Sequence, residues 1–96
     1  MLKKKKINVL SSRQKKLLFK CTHRGTKELD VLLGRYVSYN ISSFNVDELS
    51  DLEVILDLND LYLFNILTNK EKINNNINKK LIKSIIKFNN NVNKYK

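Results

Sequence analysis

The residues best suited to charged or close-contact chemistry lie together at 23–35, HRGTKELDVLLGR. Arg24 offers a planar set of donors that suits carboxylate, phosphate or carbonyl acceptors. Gly25, beside it, has no side chain and lets another backbone approach. Glu28 is an acceptor, able to receive a partner's donors or to orient Arg24. Gly25 and Gly34 are the only glycines in the chain, and both fall in this stretch. Elsewhere the chemistry is sparse. Cys21 is the sole cysteine and His23 the sole histidine. An internal disulfide, a cysteine-based zinc site and a multi-histidine metal site are therefore excluded. Composition leaves a Ser-His-Asp arrangement open, but no nucleophile-elbow motif accompanies it. Cys21 reads as a small buried residue on a helix rather than a reactive thiol.

The elements that hold these residues must come from a short chain. Its 96 residues suit one small domain, which buries roughly 60–65% of its unfolded surface. That supports one core and leaves little room for an enclosed active site. With 42% apolar and 29% charged residues, a folded domain is expected. No apolar run approaches the roughly 20 residues that span a bilayer. The net charge of +10 is unevenly spread. Residues 1–27 carry ten basic groups and no acid, residues 28–68 eight acids and one base, and residues 69–96 eight lysines and one acid. A uniformly basic nucleic-acid binder has no need of an acidic middle. The NNNINKKLIKSIIKFNNN stretch has the Asn, Lys and Ile bias that often follows an AT-rich genome, which weakens any argument from lysine content alone. MLKKKKINVL lacks the apolar core of a secretory signal and reads as a solvated tail.

Proline is absent, so glycine, Asn, Asp and Ser must mark the helix ends. Helical periodicity predicts five segments and no alternating strand. The first covers about Ser12 to His23, capped by Ser11 or Ser12, with Gln14, Leu17, Leu18 and Cys21 on one face. The second begins near Thr26, and Leu29, Leu32, Leu33, Tyr36 and Val37 form its apolar stripe. Gly34 inside it costs about 1 kcal/mol relative to alanine, which close packing of another helix would explain. The third starts at Asn45, where Asn45 and Glu48 have capping-box spacing. Leu49, Leu52, Ile55 and Leu56 face inward and Asp47, Glu48, Asp51, Glu53 and Asp57 make an acidic outside. Asp60 is expected to cap a short fourth helix, Leu61 to Thr68, with Leu63, Phe64 and Leu67 inward. The fifth covers about Asn76 to Asn89, with Ile77, Leu81, Ile82, Ile85 and Ile86 inward and Lys79, Lys80, Lys83 and Lys87 on its wet side. Short connections favour an all-α, compact five-helix bundle forming a single small domain. Its expected extent is 11–89, between basic flexible tails at 1–10 and 90–96.

Two readings of the Arg-Gly pair follow from spacing alone. In the plainer one, Gly25 closes the first helix, Glu28 favours the N-terminus of the second, and Arg24 is a surface charge. In the other, the three residues form a contact patch at an inter-helix corner. R-G-x-x-E by itself is a weak motif. In context, His23-Arg24-Gly25-Thr26-Lys27-Glu28-Leu29-Asp30, followed by Leu32-Leu33-Gly34-Arg35-Tyr36, resembles the signature of the FAD assembly factors of succinate dehydrogenase, the SdhE or flavinator family. Phe44-Asn45-Val46-Asp47-Glu48-Leu49 through Glu53, then Leu56-Asp57, Asp60, Leu63-Phe64 and Leu67, is similar to that family's acidic third and short fourth helices. The resemblance covers about Lys16 to Asn69. The family often has proline around the Asn59-Asp60-Leu61 turn and this chain has none; Asp60 is expected to keep the cap.

The resemblance implies a helical bundle that binds the flavoprotein subunit of succinate dehydrogenase and promotes covalent attachment of FAD to a histidine of that partner. It places Arg24, Gly25 and Glu28 at the contact. Arg35, further along the same helix, and Asp30, off the apolar stripe, are expected to extend the polar patch, and Tyr36 is expected in the core. It implies an assembly factor rather than an enzyme. No cofactor would be held stably, the FAD being bound to the partner. Fumarate reductase is a conceivable further client. A bacterial cytoplasm is the expected location, with the mitochondrial matrix as alternative, and the free chain is expected to be a monomer without a membrane span. Two rivals remain open: a nucleic-acid-binding bundle driven by Lys3 to Lys6 and the basic fifth helix, and a small interaction module of another kind.

Overall fold

Ser11 starts the first helix with a reciprocal cap. Its hydroxyl accepts from the Gln14 amide at 3.1 Å, and the Gln14 side chain accepts from the Ser11 amide at 2.8 Å. Helix α1 follows over Ser12–Thr22, then α2 over Lys27–Asn40, a 3-10 turn at Ile41–Ser43, α3 over Val46–Leu56, α4 over Asp60–Leu67 and α5 over Lys79–Lys94. The structure, a computed structural model, describes residues 10–94. The expected basic tail at 1–10 lies outside the described residues except for Leu10, as do residues 95–96. Among the described residues every regular element is helical, giving the all-α bundle expected from periodicity.

Helix α2 packs against α1, α4 and α5, while α1 also touches α3. The apolar stripes meet in one core containing Leu17 and Cys21 of α1, Leu29, Leu33 and Val37 of α2, Leu52 and Ile55 of α3, Leu63 and Ile66 of α4, and Ile82 and Ile85 of α5. A fully buried Leu or Ile contributes about 1.5–3 kcal/mol relative to its exposed state. Burial of these stripes therefore outweighs the modest helix propensity of the Asn- and Ile-rich segments. Gln14, on the inner face of α1, donates from Nε2 to the Ile41 carbonyl at 2.8 Å and so satisfies the 3-10 turn. Tyr36 is half-buried against Phe44 and edge-on to Phe88, with centroids 6.3 and 5.6 Å away.

The boundaries of three segments differ from the sequence reading. Leu10 is only 8% exposed and belongs to the core rather than to a tail. Helix α5 begins at Lys79 instead of Asn76 and continues past Asn89 to Lys94. Asn78 sets its start: Oδ1 accepts from the Leu81 amide at 3.2 Å, and Nδ2 donates to Asp51 of α3 at 2.7 Å. Asn89 does not end the helix because it is buried and its amide donates to the Leu32 and Ile85 carbonyls at 3.0 and 2.9 Å. An asparagine satisfied in this way no longer competes with the helical ladder. Third, Asn59 rather than Asp60 caps α4, accepting from the Tyr62 amide at 2.8 Å.

Candidate functional site

The site begins where α1 stops. Thr22 Oγ1 donates back to the Leu18 and Phe19 carbonyls, at 3.1 and 3.2 Å, in the last turn. His23 closes the helix and stacks on Phe19, with ring centroids 3.9 Å apart and planes 13° from parallel. His23 Nδ1 lies 3.0 Å from the Phe19 carbonyl. The same nitrogen lies 2.9 Å from Thr22 Oγ1. The pair forms a flat aromatic surface, Phe19 remaining 61% exposed.

Arg24 then turns inward. Its Nε and Nη2 both donate to Asp60 Oδ1, at 3.0 and 2.8 Å. Nη1 donates to the Leu56 carbonyl and Nη2 to the Leu58 carbonyl, each at 2.8 Å. These four bonds engage all but one N–H of the guanidinium, and the side chain is only 10% exposed. Leu56 ends α3, where carbonyls lack helical partners, so the guanidinium serves as a C-terminal cap as well as an ion-pair partner. The shift of the α4 cap to Asn59 leaves the Asp60 carboxylate available for this contact.

Asp30, in the first turn of α2, reaches back. Its Oδ1 accepts from the Arg24 amide at 2.8 Å. Thr26, at the N-cap, makes no side-chain cap bond and its hydroxyl is buried without a partner. The corner is thus held by Arg24 and Asp30. Gly25 lies between them at φ +101°. A side chain is strained at that angle, yet an added Cβ would meet nothing within 4 Å. Gly25 therefore serves the backbone conformation and leaves open space above it. Glu28 and Arg35 are exposed on α2, and among the described residues no hydrogen bond or ion pair uses their charged groups.

Arg24 and Asp30, both expected at the contact, direct their polar atoms to partners within the chain. Both are engaged within the chain, while Gly25, Glu28 and Arg35 remain outward. Sequence reading missed Asp60 as a member of this constellation, and the Leu56 and Leu58 carbonyls could not be seen in a side-chain pattern. The available signal was the paired Asn59-Asp60, in which one residue caps and the other is left for another task.

Gly34 supports the corner from behind. A Cβ there would stand 2.9 Å from Thr22 Cγ2 and 4.0 Å from the Cys21 carbonyl. The glycine lets α2 approach the last turn of α1, as its cost inside a helix suggested. Cys21 is fully buried, and burial pushes its thiol up to about 12 against the opposing pull of the Arg24 charge. Among the described residues no group of three His, Cys, Asp or Glu side chains is placed to hold a metal ion.

Residues 15–89 match the family model described as the flavinator of succinate dehydrogenase, a span that includes the whole corner and Asp60. The chain belongs to the flavinator family. It is also 41% identical over 51 residues to the FAD assembly factor SdhE of Acetobacter pasteurianus (strain NBRC 105184 / IFO 3283-01). That alignment covers 53% of this chain and 47% of the relative, so the match spans about half the length of each. No solved structure matches. Within the flavinator family resemblance, the R-G-x-x-E residues divide into one held inside the bundle, Arg24, and two at the surface, Gly25 and Glu28.

Proposed function

We propose that this chain is an assembly factor that binds the flavoprotein subunit of succinate dehydrogenase and promotes covalent attachment of FAD to it. The observation that carries this reading is an open Gly25 and an exposed Glu28, whose carboxylate no described residue engages, on a corner fixed by Arg24 and Asp30, within a chain of the flavinator family. Gly25 admits the partner's backbone, Glu28 accepts from its donors, and Arg35 extends the polar contact along α2. Exposed Phe19 and the 70% exposed Leu61, next to Asp60, add apolar surface near these groups. Large exposed apolar side chains beside a rigid polar patch suit a protein contact.

The flavin chemistry belongs to the partner. This chain contributes by binding, holding the flavoprotein so that its histidine and flavin meet in reactive geometry. Positioning of this kind lowers a barrier by several kcal/mol, up to about 7–11 kcal/mol in well-oriented systems. In this reading the chain works as a monomer in a bacterial cytoplasm and acts on FAD that the partner holds.

Titration of the purified chain into the flavoprotein subunit tests the contact. Wild type should bind, and Glu28→Arg should weaken binding at least tenfold without loss of helicity, since removing a charged contact costs about 1.5–3 kcal/mol. Absence of binding by wild type would refute the proposal.

A further inference from the structure

We infer that Asp60, acting through Arg24, is a positioning residue for the docking corner, a role that rests on the docking reading above. Arg24 and Gly25 are adjacent, so the guanidinium anchor fixes the backbone that presents Gly25 and leads into Glu28. Three points of attachment locate that anchor: Asp60 at the start of α4, the Leu56 carbonyl at the end of α3, and the Leu58 carbonyl in the turn between them. The Asp30 carboxylate holds the same residue by its backbone amide. The corner therefore reports the relative placement of α2, α3 and α4.

Asp60 is the one charged acceptor in this set for the guanidinium, and it takes two of the bonds on a single oxygen. Without it, Arg24 keeps only its carbonyl partners and its charge loses its counter-ion in a site where the side chain is 10% exposed. Leaving a mostly buried charge uncompensated favours its release to water. Release would free Gly25 from its fixed approach geometry, and docking would then carry the entropy of reordering the loop. The effect belongs to affinity for the partner, because Asp60 need not touch it.

A graded series tests this in the full chain. Asp60→Asn keeps a neutral acceptor in place, whereas Asp60→Ala removes it. Arg24 is followed by Gly25, so trypsin reports release of the side chain: cleavage after Arg24 requires the guanidinium to leave its site. Cleavage after Lys72, in the exposed α4–α5 connection, is the internal reference. The ratio of Arg24 to Lys72 cleavage should rise about tenfold in Asp60→Ala, with Asp60→Asn between it and wild type. The dissociation constant for the flavoprotein subunit should weaken in the same order, measured where each variant is fully folded by circular dichroism. A merely structural role would lower the melting temperature without changing that constant.

Unchanged cleavage ratios across the series would overturn the clamp. A raised ratio with unchanged affinity would overturn the positioning role. If wild type itself fails to bind the flavoprotein, the docking reading falls, and the cleavage ratio still decides whether Asp60 holds the corner. Should Asp60→Ala not fold, Asp60→Asn carries both comparisons.

Discussion

Gly25 and Gly34 answer different steric demands, and their substitutions should separate. At Gly25 the backbone has φ +101° in open space, so Gly25→Ala should lower stability by about 1–2 kcal/mol through backbone strain alone. At Gly34 an added methyl gains up to about 1 kcal/mol of helix propensity but presses on Thr22 Cγ2. Thr22 is held by its hydroxyl bonds to Leu18 and Phe19, so it does not rotate away freely. Overpacking costs about 1–3 kcal/mol, and Gly34→Ala should be destabilising by about 1 kcal/mol. In a Thr22→Ser background, which removes Cγ2, the same change should be neutral or stabilising; chemical denaturation of the four proteins checks this. Cys21 is buried with its thiol well above the usual range. The folded protein should resist an aromatic disulfide reagent at mildly alkaline pH and react at once when unfolded. Rapid labelling of the native protein would contradict the burial.

Helix ends and inter-helix pairs set the next scale. Asn45 and Glu48 form a reciprocal cap on α3, both bonds being 2.8 Å. Asn45→Ala should cost about 1 kcal/mol, read from the urea midpoint. Arg13 of α1 holds Glu53 of α3 through Nε and Nη2, each at 3.0 Å. That hydrogen bonding lowers the Glu53 pKa below its usual 4.5. A carboxylate depressed in the folded state stabilises above its unfolded pKa, and the contribution is lost as pH falls through the folded value. Glu53→Gln should therefore narrow the difference in melting temperature between neutral and acidic solution; an identical pH profile would count against the pair. These elements were largely legible in the sequence. The stripe Leu49-Leu52-Ile55-Leu56 is buried as read, and of Leu29-Leu32-Leu33-Tyr36-Val37 the residues Leu29, Leu33 and Val37 are buried while Leu32 and Tyr36 are half-buried. The start of α4 was displaced by one residue because Asn59 and Asp60 are both good caps by type, and only the distant Arg24 decides between them. The end of α5 was obscured because Asn usually stops a helix, while Asn89 satisfies its amide against α2.

The whole molecule is a bundle whose most informative surface is one inter-helix corner. Composition pointed away from enclosed catalysis, and the resemblance of residues 23–36 to the flavinator signature pointed to the corner. Which of its residues face outward was not legible, since an arginine reads alike whether it meets a partner or its own chain. The fold decides this by bringing residues 24 and 60 together across 36 positions. In the docking proposed above, Gly25, Glu28 and Arg35 meet the flavoprotein, with Asp60 and Asp30 behind them. The decisive measurement is co-expression of the chain with its cognate flavoprotein subunit, followed by covalent flavin fluorescence on a denaturing gel. Lanes without the factor, with wild type and with Glu28→Arg should show little, strong and weak fluorescence respectively. Equal fluorescence in all three would contradict both the assembly-factor role and the docking corner.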